Sequence, residues 1–520
     1  MTLAPREDDA TESPATDDPG LARLADAILI PPFAGQAAPE WVLAALRDGL
    51  GGVTVFGPNI AGPAQLADLT ARLRSVAAEP LIAIDEEGGD VTRIGHLAGS
   101  RYPGNAALGA VDDVALTQAV YHALGADLAA LGINLDLAPS VDVNTATDNP
   151  VIGTRSFGSD TGLVARHAAA AVTGLQAAGV AACAKHFPGH GSTLTDTHSS
   201  AATVDVSLKL LARRDLPPFE AAIAAGVRAI MPGHLRVPEL TGDLPASLSP
   251  AALTGLLRGE LGFTGVIVCD ALEMRAVSGP FGIVEAAVLA VAAGTDLICL
   301  GRDQGRAACL AVRDALVAAV TAGRMPATRL EEAAGRVSEL RAWAAAQHLA
   351  AAHPAAVHAS ANGVDVGLTA ARRAVRVASR PAPPASRPVL DRPVLVEVVP
   401  PVSIVAGTVP WGLASWVPAD SIVRVAAGSA ASDLAAAADA ALAAADGRPL
   451  VIVVRDAHRY PGARDLVTRL LAARPDAVVV EMGLPIWRPP HGAYVATYGA
   501  ARINGLAAAE ILGLEPAQGA

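Results

Sequence analysis

Aromatic side chains are scarce in this sequence, at 3% of 520 residues, although hydrophobic residues make up 52% and the mean hydropathy is +0.38. Much of that hydrophobic content is alanine. A run of 18 or more apolar residues is also lacking, because Asp, Arg or Gly interrupts every candidate. We therefore expect a soluble protein that does not have a membrane as its partner.

Positive charge and paired cysteines are lacking as well. The net charge of −12 argues against nucleic acid or an anionic membrane surface as a partner. Residues 1–20 are acidic and have no basic stretch followed by an apolar core, so they predict a disordered tail rather than a secretory signal. Cys183, Cys269, Cys299 and Cys309 have no CxxC spacing and are interpreted as core thiols. Together these features favour the cytoplasm.

Short apolar runs alternate with longer amphipathic stretches over residues 21–348, which is typical of repeated βα units. Eight such strands separated by helices predict a (β/α)8 TIM barrel, an α/β fold. The first run leads into Pro31–Pro32 rather than a Gly-rich phosphate loop, which argues against a doubly wound sheet. The predicted strands are Ala25–Ile30, Gly52–Phe56, Leu81–Asp85, Ile133–Ala138, Val180–Lys185, Ala229–His234, Val266–Asp270 and Leu297–Leu300.

The chain after the barrel predicts a second, smaller domain. Residues 349–392 are expected to form a connecting helix and a Pro-rich linker, and residues 393–515 a three-layer αβα sandwich. His458, Trp487 and His491 are isolated there and are interpreted as structural. The sequence does not indicate whether this domain touches the active site.

Polar residues gather where the predicted barrel strands end, and in TIM barrels the reacting groups lie at the carboxyl ends of the strands. Asp270 follows four apolar residues, so its carboxylate would project into the barrel mouth as a nucleophile, or would cap the next turn. The loop after the fifth strand contains Asp196 and His198 two residues apart, so the carboxylate could orient the imidazole as a proton shuttle.

The same loop raises the alternative of a metal site. His186, His190, Asp196 and His198 are residue types that suit zinc. A His-x-His sequence at the end of the first strand, which would complete a barrel metal site, is lacking. We therefore expect no metal and no other cofactor.

Five segments resemble glycoside hydrolase family 3, in particular its β-N-acetylhexosaminidase (NagZ-type) branch. The resemblance covers about half the chain, and KHFPGHG followed by Asp-x-His is its most specific part. The segments are IDEEGGDVTR (84–93), NPVIGTRSFG (149–158), KHFPGHG with DTH (185–198), MPGH (231–234) and GFTGVIVCDALEM (262–274).

The resemblance implies a role for each matching residue. Asp270 would be the nucleophile and His198 the acid/base, with Asp196 as its partner. The side chains implied to hold the terminal sugar are Asp85, Arg93, Arg155, Lys185 and His186, and His234 is expected to bind substrate with them. One departure is Asp90, which stands where the motif often has a basic residue.

The expected reaction is removal of terminal β-linked N-acetylglucosamine, from glycosides or from peptidoglycan fragments, by double displacement. A deprotonated imidazole is neutral and repels an anionic acceptor less than a carboxylate would, so phosphate could replace water and make the enzyme a phosphorylase. A metal-dependent hydrolase and a non-catalytic sugar-binding protein are more distant alternatives.

Overall fold

The structure is a computed structural model that describes residues 18–195, 202–351, 363–380 and 390–514. Eight parallel strands form the first sheet. Their bounds are β1 Leu29–Ile30, β2 Gly52–Val55, β3 Leu81–Ile84, β4 Leu135–Asp136, β5 Ala181–Phe187, β7 Ala229–Pro232, β9 Val266–Cys269 and β10 Leu297–Cys299. Their order in the sheet is β1-β10-β9-β7-β5-β4-β3-β2.

The sheet curls into a barrel whose open seam lies between β1 and β2. Thr54 crosses this seam: its amide donates to the carbonyl of Pro31 at 3.2 Å and its hydroxyl to that of Ile30 at 3.1 Å. The strand residues are buried on both faces, as expected where a strand contacts the barrel interior on one side and a helix on the other. The predicted TIM barrel is confirmed.

Helices surround the barrel, as the alternation of strands and amphipathic stretches predicted. The first strand is shorter than predicted, because Asp18 caps a helix that continues to Ala27 and occupies the start of the run. A π-helical segment, Ala251–Glu260, takes one helix position. The helices are α1 Pro19–Ala27, α2 Glu40–Asp48, α3 Pro63–Arg74, α4 Asn105–Val111, α5 Val114–Ala130, α6 Thr161–Ala177, α7 Leu208–Arg214, α8 Pro217–Ala224, α9 Pro238–Thr241, α10 Arg275–Phe281, α11 Ile283–Ala293, α12 Arg306–Thr321 and α13 Ala327–Ala351. Two short strands, β6 Ala202–Thr203 and β8 Leu235–Arg236, pair outside the barrel.

The second domain is a six-stranded sheet between two helical layers, as predicted. One face packs against α15 (Ala431–Ala444) and α16 (Pro461–Ala473), and the other against α17 (Arg502–Leu512). Its strand order is β11-β16-β15-β14-β12-β13, with every pairing parallel except that of β11. The strands are β11 Arg376–Arg380, β12 Val394–Val399, β13 Ile422–Ala426, β14 Leu450–Val454, β15 Val478–Glu481 and β16 Gly492–Ala496.

Within residues 349–392, where a connecting helix and a linker were predicted, the structure has a helix and also a strand. Its helix α14 (Gly363–Ala374) packs against α4 and α5 of the barrel and against α17 of the second domain. Strand β11 follows and adds an antiparallel edge to the second sheet. One strand of the sheet thus lies before residue 393, where the domain was predicted to begin. The prediction missed this strand because the alternating residues of Arg376–Arg380 are too polar to stand out as a buried strand.

No single helix among the described residues is long and apolar enough to cross a membrane. One pair, α10 and α11, passes that test jointly, but the two helices are bent by 104°.

Candidate active site

Five charged side chains form one network at the carboxyl ends of the barrel strands. The Lys185 ammonium lies 2.7 Å from Asp85 Oδ1 and 2.9 Å from Glu87 Oε1. Arg155 grips Glu87 through two parallel hydrogen bonds, from Nη2 to Oε1 at 2.7 Å and from Nε to Oε2 at 2.9 Å. Arg93 Nη2 lies 3.6 Å from Asp85 Oδ2. Such mutual pairing fixes the remaining donors and acceptors in position, as recognition of sugar hydroxyls requires.

The network has an outer and an inner layer. The side chains of Asp85 and Arg93 are 22% and 14% exposed, whereas those of Lys185 and Glu87 are each 3% exposed and that of Arg155 is 7% exposed. Asp85 and Arg93 therefore face the barrel mouth directly. The other three lie beneath them.

The network keeps Asp85, Glu87 and Lys185 ionised despite their burial. Burial alone would raise the pKa of Glu87, but Arg155 and Lys185 outweigh it and hold that pKa far below its usual range. The pKa of Asp85 is lowered in the same way: burial alone would raise it, but Lys185 and Arg93 outweigh burial. The Lys185 pKa is raised, because its two carboxylate partners outweigh burial. The hydrogen bonds in this cluster are thus between charged groups, which are the stronger kind.

Glu86, which lies between the two pocket carboxylates in the sequence, holds the turn after β3. Its Oε2 accepts hydrogen bonds from the Thr92 hydroxyl at 3.0 Å and from the amides of Arg93 and Ile94 at 2.7 and 3.0 Å. Burial raises the pKa of this carboxyl to about 7. Glu86 therefore positions Arg93.

Asp142, a fully buried residue after β4, organises the loop after β5. Its Oδ2 accepts from His186 Nδ1 at 2.8 Å and from the Ser140 hydroxyl at 3.0 Å, and its Oδ1 accepts from the His190 amide at 2.6 Å. Arg155 Nη2 lies 3.3 Å from His186 Nε2. Because Arg can only donate, Nε2 accepts, and the proton of the neutral ring is on Nδ1, facing Asp142. The imidazole is held by the carboxylate on one side and by the charged network on the other.

We expect Asp142→Asn to lower kcat/KM by about 100-fold, because an amide N–H would face donors where the carboxylate now accepts, and the loop would shift. The matched control is Asp296→Asn. Asp296 is also fully buried and pairs with Arg258, Arg329 and Arg336, but it precedes β10, at the opposite end of the barrel. Asp296→Asn should destabilise the fold but leave the kcat/KM of the folded enzyme close to that of the protein without substitutions. Equal loss of kcat/KM in both variants would contradict the role of Asp142.

His190 is buried beside His186, with ring centroids 5.8 Å apart, and its Nδ1 lies 2.6 Å from the Thr193 hydroxyl. Its carbonyl accepts from Asn149 Nδ2 at 2.9 Å, which joins the β5 loop to the loop that carries Arg155. Burial lowers the pKa of His190 to about 4. It is therefore a neutral structural imidazole at neutral pH.

This lowered pKa predicts a loss of stability in acid. Between pH 6.5 and 4 the unfolded chain protonates His190 and the folded chain does not, so the free energy of unfolding falls as the pH drops. Between pH 7 and pH 5 the His190 contribution is about 2 kcal/mol. Urea unfolding at both pH values should show a steeper decrease for the unchanged protein than for His190→Asn. The exposed control His491→Asn should keep the original slope, and an unchanged slope in His190→Asn would reject the assignment.

Asp270 follows the last residue of β9, and its Oδ1 accepts from the amide of Ala271 at 2.8 Å. His234, buried after β7, lies beneath this turn: Nε2 is 3.1 Å from the Ala271 carbonyl and Nδ1 is 2.7 Å from the Ser247 hydroxyl. A carbonyl only accepts, so Nε2 carries a proton. His234 was predicted to bind substrate. The contacts seen in the structure hold the turn that carries Asp270 in position.

Asp270 and the charged network lie at the same end of the barrel. Asp85 directly follows β3 and Asp270 directly follows β9, and the barrel strands are parallel, so both carboxylates are at the carboxyl ends of the strands. Burial raises the pKa of the thiols of Cys183, on β5, and Cys299, on β10. The cysteines are core residues, as predicted, and are unpaired.

The two remaining predicted catalytic residues, Asp196 and His198, lie outside the described residues. Among the residues described, no three His, Cys, Asp or Glu side chains are grouped as a metal site requires.

Sequence reasoning missed Asp142 and left Glu87 without a role. Asp142 has a recognisable signal, since a single carboxylate between the apolar residues Val141 and Val143 must find partners inside the fold. Asn105 was also missed; it anchors the Arg155 carbonyl through Nδ2 at 2.7 Å, and nothing in its local sequence indicates that contact.

The second domain reaches the barrel rim directly. Arg93 donates from Nη1 to the Val405 carbonyl at 3.0 Å, and His458 Nε2 lies 2.9 Å from the Thr147 carbonyl. A cavity of about 570 Å³ lies between the domains. It is lined by residues of both, among them Asp90, Arg155, Val402, Trp411, Arg455 and Tyr460.

Known proteins match both parts of the chain. Residues 34–340 match the family model "Glycosyl hydrolase family 3 N terminal domain". A structure of a glycoside hydrolase family 3 beta-N-acetylglucosaminidase from Paenibacillus sp. str. FPU-7 is 33% identical, with a TM-score of 0.81 over 95% of this chain and 96% of that one. A crystal structure of a beta-N-acetylhexosaminidase from Beutenbergia cavernae DSM 12333 is 32% identical, with a TM-score of 0.56 over 63% of this chain and 100% of that one.

Curated relatives match over the barrel. A beta-hexosaminidase from Xylella fastidiosa (strain M23) is 40% identical over 258 residues, which are 48% of this chain and 76% of that protein. Beta-hexosaminidase A from Pseudoalteromonas piscicida is 38% identical over 273 residues, and the match spans about half of each protein, 48% of this chain and 46% of the relative. With the family model matched over most of the barrel and a full-length structural relative above 30% identity, the chain belongs to glycoside hydrolase family 3.

Proposed function

We propose that this protein is a retaining, exo-acting β-N-acetylglucosaminidase. The observation that carries the proposal is the ionised network of Asp85, Glu87, Lys185 and Arg155, which lies, like Asp270, at the carboxyl ends of the barrel strands. The names of the hexosaminidase relatives support the choice of sugar. A rigid set of charged hydrogen-bonding groups suits a sugar with free hydroxyls, which is the terminal unit of a chain.

The proposed roles follow the positions of the side chains. Asp85 and Arg93 face the mouth and would bind the sugar hydroxyls directly. Lys185 and Arg155 lie deeper and would fix Asp85 and Glu87, and His186, which is next to Arg155, would complete the floor of the pocket. Each of these groups is held by a partner within the protein, so little reorganisation is needed when the sugar binds.

The proposed reaction has two steps. In the first, Asp270 attacks the anomeric carbon, the bond to the glycosidic oxygen breaks, and the proton of the His198 imidazolium goes to that oxygen. In the second, the neutral imidazole takes a proton from water, whose oxygen attacks the anomeric carbon and releases Asp270. Asp196 would orient the imidazole in both steps. Two inversions give net retention.

The acceptor is tested by incubating the enzyme with nitrophenyl β-N-acetylglucosaminide, with and without phosphate. The proposal predicts release of nitrophenol and of free N-acetylglucosamine in both cases. Formation of N-acetylglucosamine 1-phosphate in place of the free sugar would replace the hydrolase assignment with that of a phosphorylase. Absence of any nitrophenol release would reject the glycosidase proposal.

The same assay tests the sugar and the leaving group. Nitrophenyl β-glucoside lacks the acetamido group, and we expect it to be a much poorer substrate. Chitobiose and a peptidoglycan fragment with terminal N-acetylglucosamine are the proposed classes of natural substrate, and loss of the terminal sugar from either would be seen by chromatography. Preference for the glucoside would contradict the proposed specificity.

A further inference from the structure

Asp90 connects the two domains through a compact set of hydrogen bonds. Its Oδ2 lies 2.9 Å from Arg455 Nη2 and accepts from the Thr154 hydroxyl at 2.6 Å, and its Oδ1 accepts from the Ala500 amide at 3.0 Å. Arg455 and Ala500 belong to the second domain, and Thr154 belongs to the barrel loop that carries Arg155. The Asp90 side chain is 6% exposed, so the pair is largely shielded from water. We refer to Asp90, Arg455, Thr154 and Ala500 as the interdomain clamp.

The second-domain half of the clamp is rigid. Arg455 follows β14 and precedes a turn that the buried carboxylate of Glu481 holds in place. Glu481 accepts from the amides of Asp456 and Gly483, both at 2.7 Å, and from that of Ala457 at 3.1 Å. These hydrogen bonds fix the backbone next to Arg455, whose guanidinium contacts Asp90 of the barrel.

The barrel half of the clamp leads straight to the sugar pocket. Asp90 is close in sequence to Glu87, and Thr154 is adjacent to Arg155, and these two neighbours form the bidentate pair at the pocket floor. One carboxylate therefore ties together the two loops that supply both halves of that pair. The second domain also contacts the outer layer, through the bond from Arg93 to the Val405 carbonyl at 3.0 Å.

We infer that the interdomain clamp is a positioning device, through which Asp90 and Arg455 hold the loops of Glu87 and Arg155 in the geometry that binds the sugar. This inference rests on the proposed function of the site. It also gives a physical reason for an acidic residue at position 90, where the motif often has a basic one: an acidic side chain there pairs with the cation of the second domain. Neither Asp90 nor Arg455 is assigned contact with the reacting atoms.

The test compares Asp90→Asn and Arg455→Gln with the control Arg469→Gln in the full-length chain. Asn turns an N–H toward Arg455 or Thr154, and Gln removes the charge. Arg469 pairs with Asp439 in the same domain at 2.7 Å, but the two side chains are 51% and 66% exposed. We expect each clamp variant to raise KM for nitrophenyl β-N-acetylglucosaminide by about tenfold with little change in kcat, and Arg469→Gln to have no effect.

The double variant Asp90→Asn/Arg455→Gln should have nearly the same KM as Asp90→Asn alone, because the charge of Arg455 acts in the clamp only through the Asp90 carboxylate. The affinity for free N-acetylglucosamine, measured by calorimetry, should fall in parallel with KM. A purely structural clamp would instead lower the unfolding temperature and leave the KM and the sugar affinity of the folded enzyme unchanged, and that result would overturn the inference. If the protein without any substitution fails to cleave the glycoside, the proposed function itself is overturned. The failure of the inference and the failure of the proposed function are therefore distinguishable.

Discussion

Asp270→Ala is expected to lower kcat by at least about 10⁴-fold while leaving the fold intact, because the nucleophile that forms the covalent intermediate would be removed. Asp270 lies beyond the buried residues of β9 and is itself only partly buried, so its loss removes little of the packing. Nitrophenol release measures kcat, and circular dichroism checks the fold. The matched control is Asp303→Ala, which removes a side chain that is 80% exposed in the loop after β10.

Added azide should sharpen this test. A small anion can occupy the space left by the carboxylate and attack the anomeric carbon from the same side, so Asp270→Ala should regain part of its activity with an activated nitrophenyl substrate. The product would be the α-glycosyl azide, the inverted anomer, because only one displacement takes place. Near-normal activity of Asp270→Ala without azide would remove Asp270 from the mechanism.

His198→Ala is expected to have the second largest effect, and its size should depend on the leaving group. Loss of a positioned general acid costs about 10²- to 10⁴-fold where the departing oxygen needs a proton, as in chitobiose. A dinitrophenyl leaving group departs as a stable anion, so the first step should be much less affected. Rates measured over a series of phenyl glycosides should show a steep dependence on leaving-group pKa in His198→Ala and a shallow one in the unchanged enzyme.

Two further variants complete the test of His198. Asp196→Ala should show the same trend to a smaller degree, because the imidazole would remain but lose its orienting carboxylate. His491→Ala, which changes an exposed imidazole of the second domain, should leave the series unaltered. Equal losses for good and poor leaving groups in His198→Ala would contradict its role as the acid.

The barrel strands could be predicted because burial on both faces leaves a strong sequence signal. Val266–Cys269 is uniformly apolar and ends at a carboxylate, so both the strand and the position of Asp270 follow from the sequence. Lys185 and Asp85 were placed at the same rim by the same argument, and the structure puts them 2.7 Å apart. Strand ends are thus predictable from local patterns and barrel geometry together.

The supporting contacts could not be predicted, because they join residues far apart in the chain. Asp142 meets His190, and Asp90 meets Arg455 and Ala500, through loops whose paths depend on tertiary packing. His458, interpreted as structural, contacts the barrel at the Thr147 carbonyl, a partner that its local sequence does not indicate. Local sequence carries no record of which loop faces which, so the contribution of the second domain to the rim emerges only from the fold.

A covalent intermediate on Asp270 requires net retention at the anomeric carbon. Proton NMR of nitrophenyl β-N-acetylglucosaminide during the first minutes of hydrolysis measures the anomer released, before the free sugar equilibrates between its anomers. With retention, the β anomer of N-acetylglucosamine accumulates first and the α anomer follows slowly by mutarotation. Initial appearance of the α anomer would mean a single displacement and would rule out the covalent intermediate on Asp270.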